Sequence, residues 1–186
     1  MEVYVIRHTP VDAPKGICYG QTDLSLLDTY REDLAVVKQQ IPADINCIIT
    51  SPLQRCTLLA KEFNPSSATD KRLMEMNFGD WEMEFWNNIN AEQLKIWMSN
   101  IENICAPNGE NLTQVYSRAA SFLEDLRNKN YSKVLIITHA GIIRCFWTYL
   151  LQIPLQNTFK IPIGYGEVFS FFLGKNPKDD FIVSKK

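Results

Sequence analysis

The sequence predicts an α/β fold, a three-layer sandwich in which a mostly parallel central sheet carries helices on both faces. Short runs rich in β-branched and aromatic residues alternate with longer segments whose apolar residues recur at helical spacing. The strand-like runs are apolar on both faces, which is typical of parallel strands buried between helices. The chain has 186 residues, 46% of them apolar, and no linker-like stretch, so we expect one domain over residues 1–186.

The first third of the chain predicts two strands separated by a loop and a helix. Residues 3–7 (VYVIR) are β-branched and aromatic and predict a strand. Residues 9–24 contain two prolines and two glycines and predict a loop. Apolar residues near helical spacing predict a helix over 26–41, which Pro42 ends. Residues 45–50 (INCIIT) predict a second buried strand.

The middle of the chain predicts a helix and then less regular structure. Residues 51–63 predict a helix with Ser51 as its N-cap and Pro52 at the first helical position. Residues 64–72 are rich in turn formers, and the aromatic stretch 73–84 has no clear period. We therefore expect the middle segment to be irregular, and 64–72 leaves room for a short strand.

The last half of the chain predicts helices around a third buried strand. Residues 85–104 predict one or two helices, and 112–129 show a clear helical stripe of apolar residues. Residues 133–139 (KVLIITH) predict the third buried strand, followed by an apolar helix through about Leu151. Two late strands are predicted at 167–174 and 181–184.

Composition argues against several classes of protein. The formal net charge is −2 without a basic block, so we expect no binding of nucleic acid through bulk electrostatics. Five cysteines without a Cys-x-x-Cys pair predict reduced thiols and no metal or other cofactor. Apolar runs are far shorter than the roughly 20 residues that cross a bilayer, and no signal-peptide pattern opens the chain. We expect a soluble cytoplasmic protein; the sequence leaves a homodimer open.

Reactive side chains follow the predicted carboxyl ends of three strands. Arg7 and His8 end the first strand, and Arg55 lies just beyond the second. His139 ends the third strand and is followed by Ala140. In open α/β sheets, ligands bind beyond the carboxyl ends of the strands. If the three strands are neighbours, both histidines of the chain and two arginines converge on one small volume.

Such a cluster suits a phosphoryl group. Guanidinium forks match phosphate oxygens, and the helix N-terminus at Ala140 would add backbone N–H donors. Arginines repel cations, so a metal site is the poorer alternative. A histidine kept neutral by nearby cations, with one ring N–H held by a backbone carbonyl, could attack phosphorus and form a phosphohistidine. The leaving oxygen needs a proton from a carboxyl group; Glu75 is the best candidate and Glu82 the alternative.

Five motifs in order resemble those of the histidine phosphatase superfamily, also called phosphoglycerate-mutase-like. They are IRHT, SPLQRC, LMEMNFGDWE, PNGEN and ITHAGIIR, and the resemblance covers the chain from residue 3 to about 150. The resemblance implies His8 as the phosphorylated nucleophile and Glu75 as the proton donor. It also implies a phosphate pocket made by Arg7, Arg55 and His139, a small-molecule phosphate ester as substrate, and no metal.

Within that superfamily, residues 16–26 (GICYGQTDLSL) resemble members described as alpha-ribazole phosphatases. Those members remove the 5′-phosphate of α-ribazole phosphate during assembly of the cobalamin nucleotide loop. The chain departs from the common pattern at Pro14, which aligns with a phosphate-contacting asparagine, and Gln21 or Thr22 are candidates to replace it. Met83 stands where a glycine is usual after Trp-Glu. These departures bear on the substrate more than on the chemistry.

Three functions are therefore weighed as hypotheses. The first is a phosphomonoesterase, with α-ribazole 5′-phosphate as the best single substrate and a broad range of small phosphate esters as an alternative. The second is a phosphoglycerate mutase, but such enzymes are usually longer, with extra segments covering the site. The third is a module that binds phosphate without catalysis, although such a module would most easily have lost His8 or Glu75.

Overall fold

A six-stranded mixed sheet is the centre of the computed structural model, which describes residues 1–185. The strands are β1 (Glu2–Arg7), β2 (Cys47–Thr50), β3 (Ala68–Thr69), β4 (Lys133–Thr138), β5 (Val168–Phe172) and β6 (Phe181–Lys185). Their order across the sheet is β3-β2-β4-β1-β5-β6. The pairs from β3 to β1 are parallel, whereas β5 is antiparallel to both β1 and β6. The predicted mostly parallel sheet is confirmed.

Helices cover both faces of this sheet, as predicted. They are α1 (Tyr30–Lys38), α2 (Gln54–Phe63), α3 (Ala91–Ser99), α4 (Leu112–Arg127) and α5 (Ala140–Leu151). On one face, Ile6 of β1 packs in a cluster with residues of α1 and α2. On the other face, the neighbouring Val5 packs in a cluster with residues of α3, α4 and α5. Alternate residues of a strand point to opposite faces, so apolar runs without alternation predict this two-sided burial.

The helix boundaries differ from the sequence prediction where tertiary contacts decide them. The helix predicted over 26–41 is shorter and covers only α1, and the region 85–104 contains only α3. Ser51 and Pro52 lie outside α2, which begins at Gln54. The N-cap prediction was wrong because Asp23, from the loop after β1, accepts the Gln54 backbone N–H at 2.7 Å. The Ser51 hydroxyl is instead within 2.8 Å of the His139 ring.

No helix within residues 1–185 combines the length and the apolar character that crossing a bilayer requires. The longest helix, α4, has 16 residues and is amphipathic. It starts at a capping box in which the Asn111 side chain accepts the Gln114 backbone N–H and the Gln114 side chain accepts the Asn111 N–H. This cap fixes the start of α4 directly after the PNGEN motif, which matters for the site described below.

Candidate active site

The two histidines of the chain meet at the carboxyl edge of the sheet. β4 lies between β1 and β2, so His8 after β1 and His139 after β4 emerge side by side. Their ring centres are 5.1 Å apart at an interplanar angle of 64°. Both side chains are buried. The convergence predicted from the strand ends is therefore observed.

The His8 ring is held with one nitrogen free for chemistry. Its Nδ1 lies 2.8 Å from the carbonyl oxygen of Thr9 and donates to it, because a carbonyl can only accept. The neutral ring therefore keeps a lone pair on Nε2. Burial, and then the charge of Arg55, lowers the pKa of His8 from 6.5 to about 3, with a smaller contribution from Arg7. The imidazole is thus neutral at physiological pH, and its free Nε2 lone pair gives it the form that a nucleophile requires.

His139 has the opposite tautomer. Arg55 Nε donates to His139 Nδ1 at 3.3 Å, so the ring proton lies on Nε2, which is 2.8 Å from the Ser51 hydroxyl. Burial and the nearby His8 and Arg55 hold the pKa of His139 well below its usual value. The sequence did not indicate this role for Ser51. His139 therefore keeps one N–H, which faces the Ser51 hydroxyl, and has no free lone pair on either ring nitrogen.

Arg55 is fully buried and links the histidines to the loop after β1. Its two terminal nitrogens donate to the carbonyl oxygens of Gly20 and Thr22 at 2.6 and 2.7 Å. Gly20 has a φ of +23°, and a Cβ there would lie 2.2 Å from Glu82 Oε1, so only glycine fits. The loop that carries the GICYGQTDLSL motif is therefore fastened to a predicted phosphate ligand.

Arg7 is the last residue of β1 and directly precedes His8. One terminal nitrogen donates to the Ile163 carbonyl oxygen at 2.7 Å. Its Nε is buried and has no hydrogen-bond partner among the described residues. A buried N–H donor without a partner is costly, and a phosphoryl oxygen would satisfy it.

Two tyrosines cover the arginines. The Tyr165 ring centre is 3.7 Å from the Arg7 guanidinium carbon, and the Tyr19 ring centre is 5.3 Å from that of Arg55. The two hydroxyl groups are 2.7 Å apart. Tyr165 was missed in the sequence because it lies in the irregular segment before β5, where no motif marks it. The pair forms the outer wall of the cluster.

Glu75 lies at the N-terminus of α5, directly after His139. Both carboxylate oxygens are 3.1 Å from the Gly141 backbone nitrogen, which donates to them, and Oε1 also accepts the Met76 N–H at 2.9 Å. A Cβ at Gly141 would lie 2.1 Å from Glu75 Oε1, so any other residue there would displace the carboxylate.

Glu82, the alternative acid, has a different task. Its carboxylate accepts the backbone N–H groups of Gln21, Thr22 and Phe78, and also the Thr22 hydroxyl. The bonds from Gln21 and Thr22 tie the loop after β1 to the aromatic segment, and the bond from Phe78 lies within that segment. Glu82 accepts four bonds over its two oxygens, whereas Glu75 accepts from only two backbone N–H groups, so Glu75 remains the better candidate for the acid.

Gln21 and Thr22, the candidates to replace an asparagine at position 14, already bind protein groups. Gln21 Nε2 donates to the Glu75 carbonyl oxygen at 2.9 Å, and the Thr22 hydroxyl donates to Glu82. Their role as phosphate ligands, like that of Ala140 at the start of α5, stays a prediction. Within residues 1–185, His, Cys, Asp and Glu side chains form no cluster of three or more suited to a metal ion.

The lowered pKa of His8 predicts a pH dependence of stability. Between pH of about 3 and 6.5 the unfolded chain binds a proton at His8 that the folded chain does not. The contribution of His8 to the free energy of unfolding should therefore be fully present above pH 6.5 and be lost as the pH drops toward 3. Urea unfolding at several pH values tests this, with His8→Asn as the control that cannot titrate. Equal declines in both proteins would contradict the prediction.

Comparisons with known proteins agree with this geometry. The sequence is 28% identical over 178 residues to the adenosylcobalamin/alpha-ribazole phosphatase of Salmonella typhimurium, covering 89% of this chain and 87% of that protein. It is 24% identical over 167 residues to phosphoserine phosphatase 1 of Hydrogenobacter thermophilus, covering 84% and 79%. The crystal structure of the alpha-ribazole phosphatase from Shigella flexneri has the same fold, with a TM-score of 0.88 at 21% identity, covering 100% and 96%.

The pattern that defines one family matches nearly the whole chain. That family is described as the histidine phosphatase superfamily (branch 1), and the match extends over residues 3–176. It includes His8, Arg55, Glu75 and His139, the residues that the fold brings together. We conclude that this chain belongs to the histidine phosphatase superfamily, branch 1.

Proposed function

We propose that the protein hydrolyses phosphate monoesters through a phosphohistidine at His8. The observation that carries the proposal is the bond from His8 Nδ1 to the Thr9 carbonyl, which leaves Nε2 unprotonated in the positive field of Arg55 and Arg7. Nε2 attacks phosphorus, forming a P–N bond while the P–O bond to the leaving group breaks. Arg7, Arg55 and His139 bind the phosphoryl oxygens, on which charge accumulates in the transition state.

Glu75 supplies the proton that the leaving group requires. As the P–O bond breaks, the carboxylic acid gives its proton to the leaving oxygen. A water molecule then attacks the phosphohistidine and transfers a proton to the Glu75 carboxylate. The P–N bond breaks, inorganic phosphate leaves and His8 Nε2 is restored. No metal ion or cofactor is needed for either step.

A largely apolar cavity next to His8 supports a ring-bearing leaving group. It has a volume of about 340 Å³, and Tyr165, whose ring centre is 5.6 Å from that of His8, forms one of its walls. Its other walls include apolar and aromatic side chains from the loop after β1 and the segment before α3, among them Val11, Ile17, Tyr19 and Trp86, and Lys15 is the charged residue that lines it. Flat rings stack favourably on such aromatic surfaces.

We propose α-ribazole 5′-phosphate as the best single substrate, which would place the enzyme in assembly of the cobalamin nucleotide loop. The benzimidazole ring of this ester would fit the aromatic cavity, and the GICYGQTDLSL segment resembles the corresponding phosphatases. Phosphoserine is the second candidate, because a relative of 24% identity carries the name phosphoserine phosphatase. Its small zwitterionic leaving group would gain little from apolar walls.

A substrate panel tests the proposal. We expect α-ribazole 5′-phosphate to have a higher kcat/KM than phosphoserine, sugar phosphates, nucleotides and 3-phosphoglycerate. Trp86→Ala should reduce this preference, whereas Phe181→Ala, an exposed change on β6, should not. A flat ranking would indicate a phosphatase of broad specificity. Interchange of phosphoglycerate isomers without release of phosphate, seen by NMR, would favour a mutase instead.

A further inference from the structure

The segment that carries Glu75 has no helix or strand of its own. A single 3₁₀ turn ends at Leu73, the next begins at Gly79, and residues 74–78 between them are irregular. Backbone carbonyls there cannot be satisfied by regular secondary structure and need partners from elsewhere. The position of Glu75 relative to His8 is therefore set by contacts from other parts of the chain.

Arg118, in the middle of α4, supplies two of those contacts and one to the residue Arg72 before them. Its guanidinium group donates to the backbone carbonyl oxygens of Arg72, Met74 and Glu75 at 2.8, 2.5 and 2.9 Å. The remaining two bonds go to the two carboxylate oxygens of Glu110, each at 2.9 Å. An arginine has five N–H donors, so every donor of Arg118 is used. Lysine, with one nitrogen, cannot reproduce this pattern.

Glu110, from the PNGEN motif, holds the other end of the same segment. Its Oε2 accepts the Asn77 backbone N–H at 2.9 Å, and its own N–H donates to the Asn77 carbonyl at 2.8 Å. The Glu110 and Arg118 side chains are only 22% and 16% exposed. The pair thus holds the backbone on both sides of Glu75, while the Gly141 N–H binds its carboxylate.

We propose that Arg118 and Glu110 are positioning residues for Glu75, which they hold at the distance from His8 that proton transfer to the leaving group requires. This inference rests on the proposed role of Glu75 as the general acid. Neither side chain touches the phosphoryl site, so their loss should leave attack by His8 intact. Misplacement of a catalytic group by about 1 Å can cost on the order of 100-fold in rate.

Two substrates that differ in their need for an acid test the inference. p-Nitrophenyl phosphate has a good leaving group that needs little protonation, whereas the best alkyl phosphate of the panel needs a proton at its leaving oxygen. In Arg118→Lys we expect kcat/KM for the alkyl ester, which reports formation of the phosphohistidine and not its hydrolysis, to fall about 100-fold, within the usual range for general acid catalysis. For p-nitrophenyl phosphate we expect a change of only a few fold. Glu110→Gln is the milder variant, and its loss on the alkyl ester should lie between that of wild type and that of Arg118→Lys.

A matched control and a double variant separate positioning from folding. Arg127, at the end of α4, also pairs with a carboxylate, that of Asp180, and neither residue contacts the Glu75 segment. Arg127→Lys breaks this pair. It should lower the Tm without changing the ratio of the two rates. In a Glu75→Gln background, Arg118→Lys should cause no further change in that ratio, because the acid is already absent.

The outcomes distinguish this inference from the proposed function. Equal losses on both substrates in Arg118→Lys and Glu110→Gln, with a changed ratio in Glu75→Gln, would overturn the positioning role alone. An unchanged ratio in Glu75→Gln itself would contradict both the role of Glu75 as the acid and the positioning role of Arg118 and Glu110. A changed ratio in all three variants, with Arg127→Lys unaffected, supports the inference.

Discussion

His8→Ala should lose turnover of every phosphate ester, by about 10⁵-fold or more, the scale seen when a covalent enzyme loses its nucleophile. No second imidazole can take over, because the His139 Nδ1 lone pair accepts from Arg55 and its Nε2 proton faces Ser51. Phosphate release from p-nitrophenyl phosphate, followed to low rates, measures the loss.

Binding should survive this change and serves as the control. His8→Ala leaves Arg7 and Arg55 in place, so orthovanadate or inorganic phosphate should still raise the Tm of the variant. An active His8→Ala, within about tenfold of wild type, would contradict the covalent mechanism. Loss of both activity and anion binding would indicate that the pocket itself had collapsed.

Arg55→Lys should lower kcat on the order of 100- to 1,000-fold, as for removal of one stabilising donor in other enzymes. The loss has two causes. Lysine cannot present a planar fork to the phosphoryl oxygens, and it releases the carbonyl oxygens of Gly20 and Thr22 and the Nδ1 of His139. The loss in kcat should be equal for esters with good and with poor leaving groups, because Arg55 binds the phosphoryl group that all of them share.

Arg127→Lys is again the suitable comparison for Arg55→Lys. The Arg127 guanidinium is also buried and donates to a backbone carbonyl, that of Gly174. It lies at the C-terminal end of α4, away from the site. Steady-state kcat and inhibition by orthovanadate should change in Arg55→Lys and not in Arg127→Lys. If Arg55→Lys kept the wild-type kcat, Arg55 would be a structural residue of the loop rather than a phosphate ligand.

The sequence predicts those parts of the site that strand ends dictate. Arg7, His8 and His139 follow directly from buried strands, and the parallel pairing of β1 with β4 places them at one edge. Apolar runs without alternation likewise predict helices on both faces of the sheet. These inferences succeed because strand burial and side-chain direction are local properties of a few residues.

What the sequence does not predict depends on contacts between distant segments. The start of α2 is set by Asp23, which lies 31 residues before Gln54. Arg118 reaches carbonyls 43 to 46 residues away, and in the sequence it is one polar residue on a helix. Tyr165 meets Tyr19 across 146 residues. No local pattern encodes such pairs, so only the folded arrangement reveals them.

Trapping the intermediate tests the central claim most directly. The wild-type enzyme is mixed with saturating p-nitrophenyl phosphate, quenched within milliseconds in alkaline denaturant, which preserves the acid-labile P–N bond, and digested for mass spectrometry. We expect one phosphoryl group on His8, absent from His8→Ala. Rapid turnover with no phosphoryl group on His8 at any quench time, or with the group on His139 instead, would contradict the mechanism.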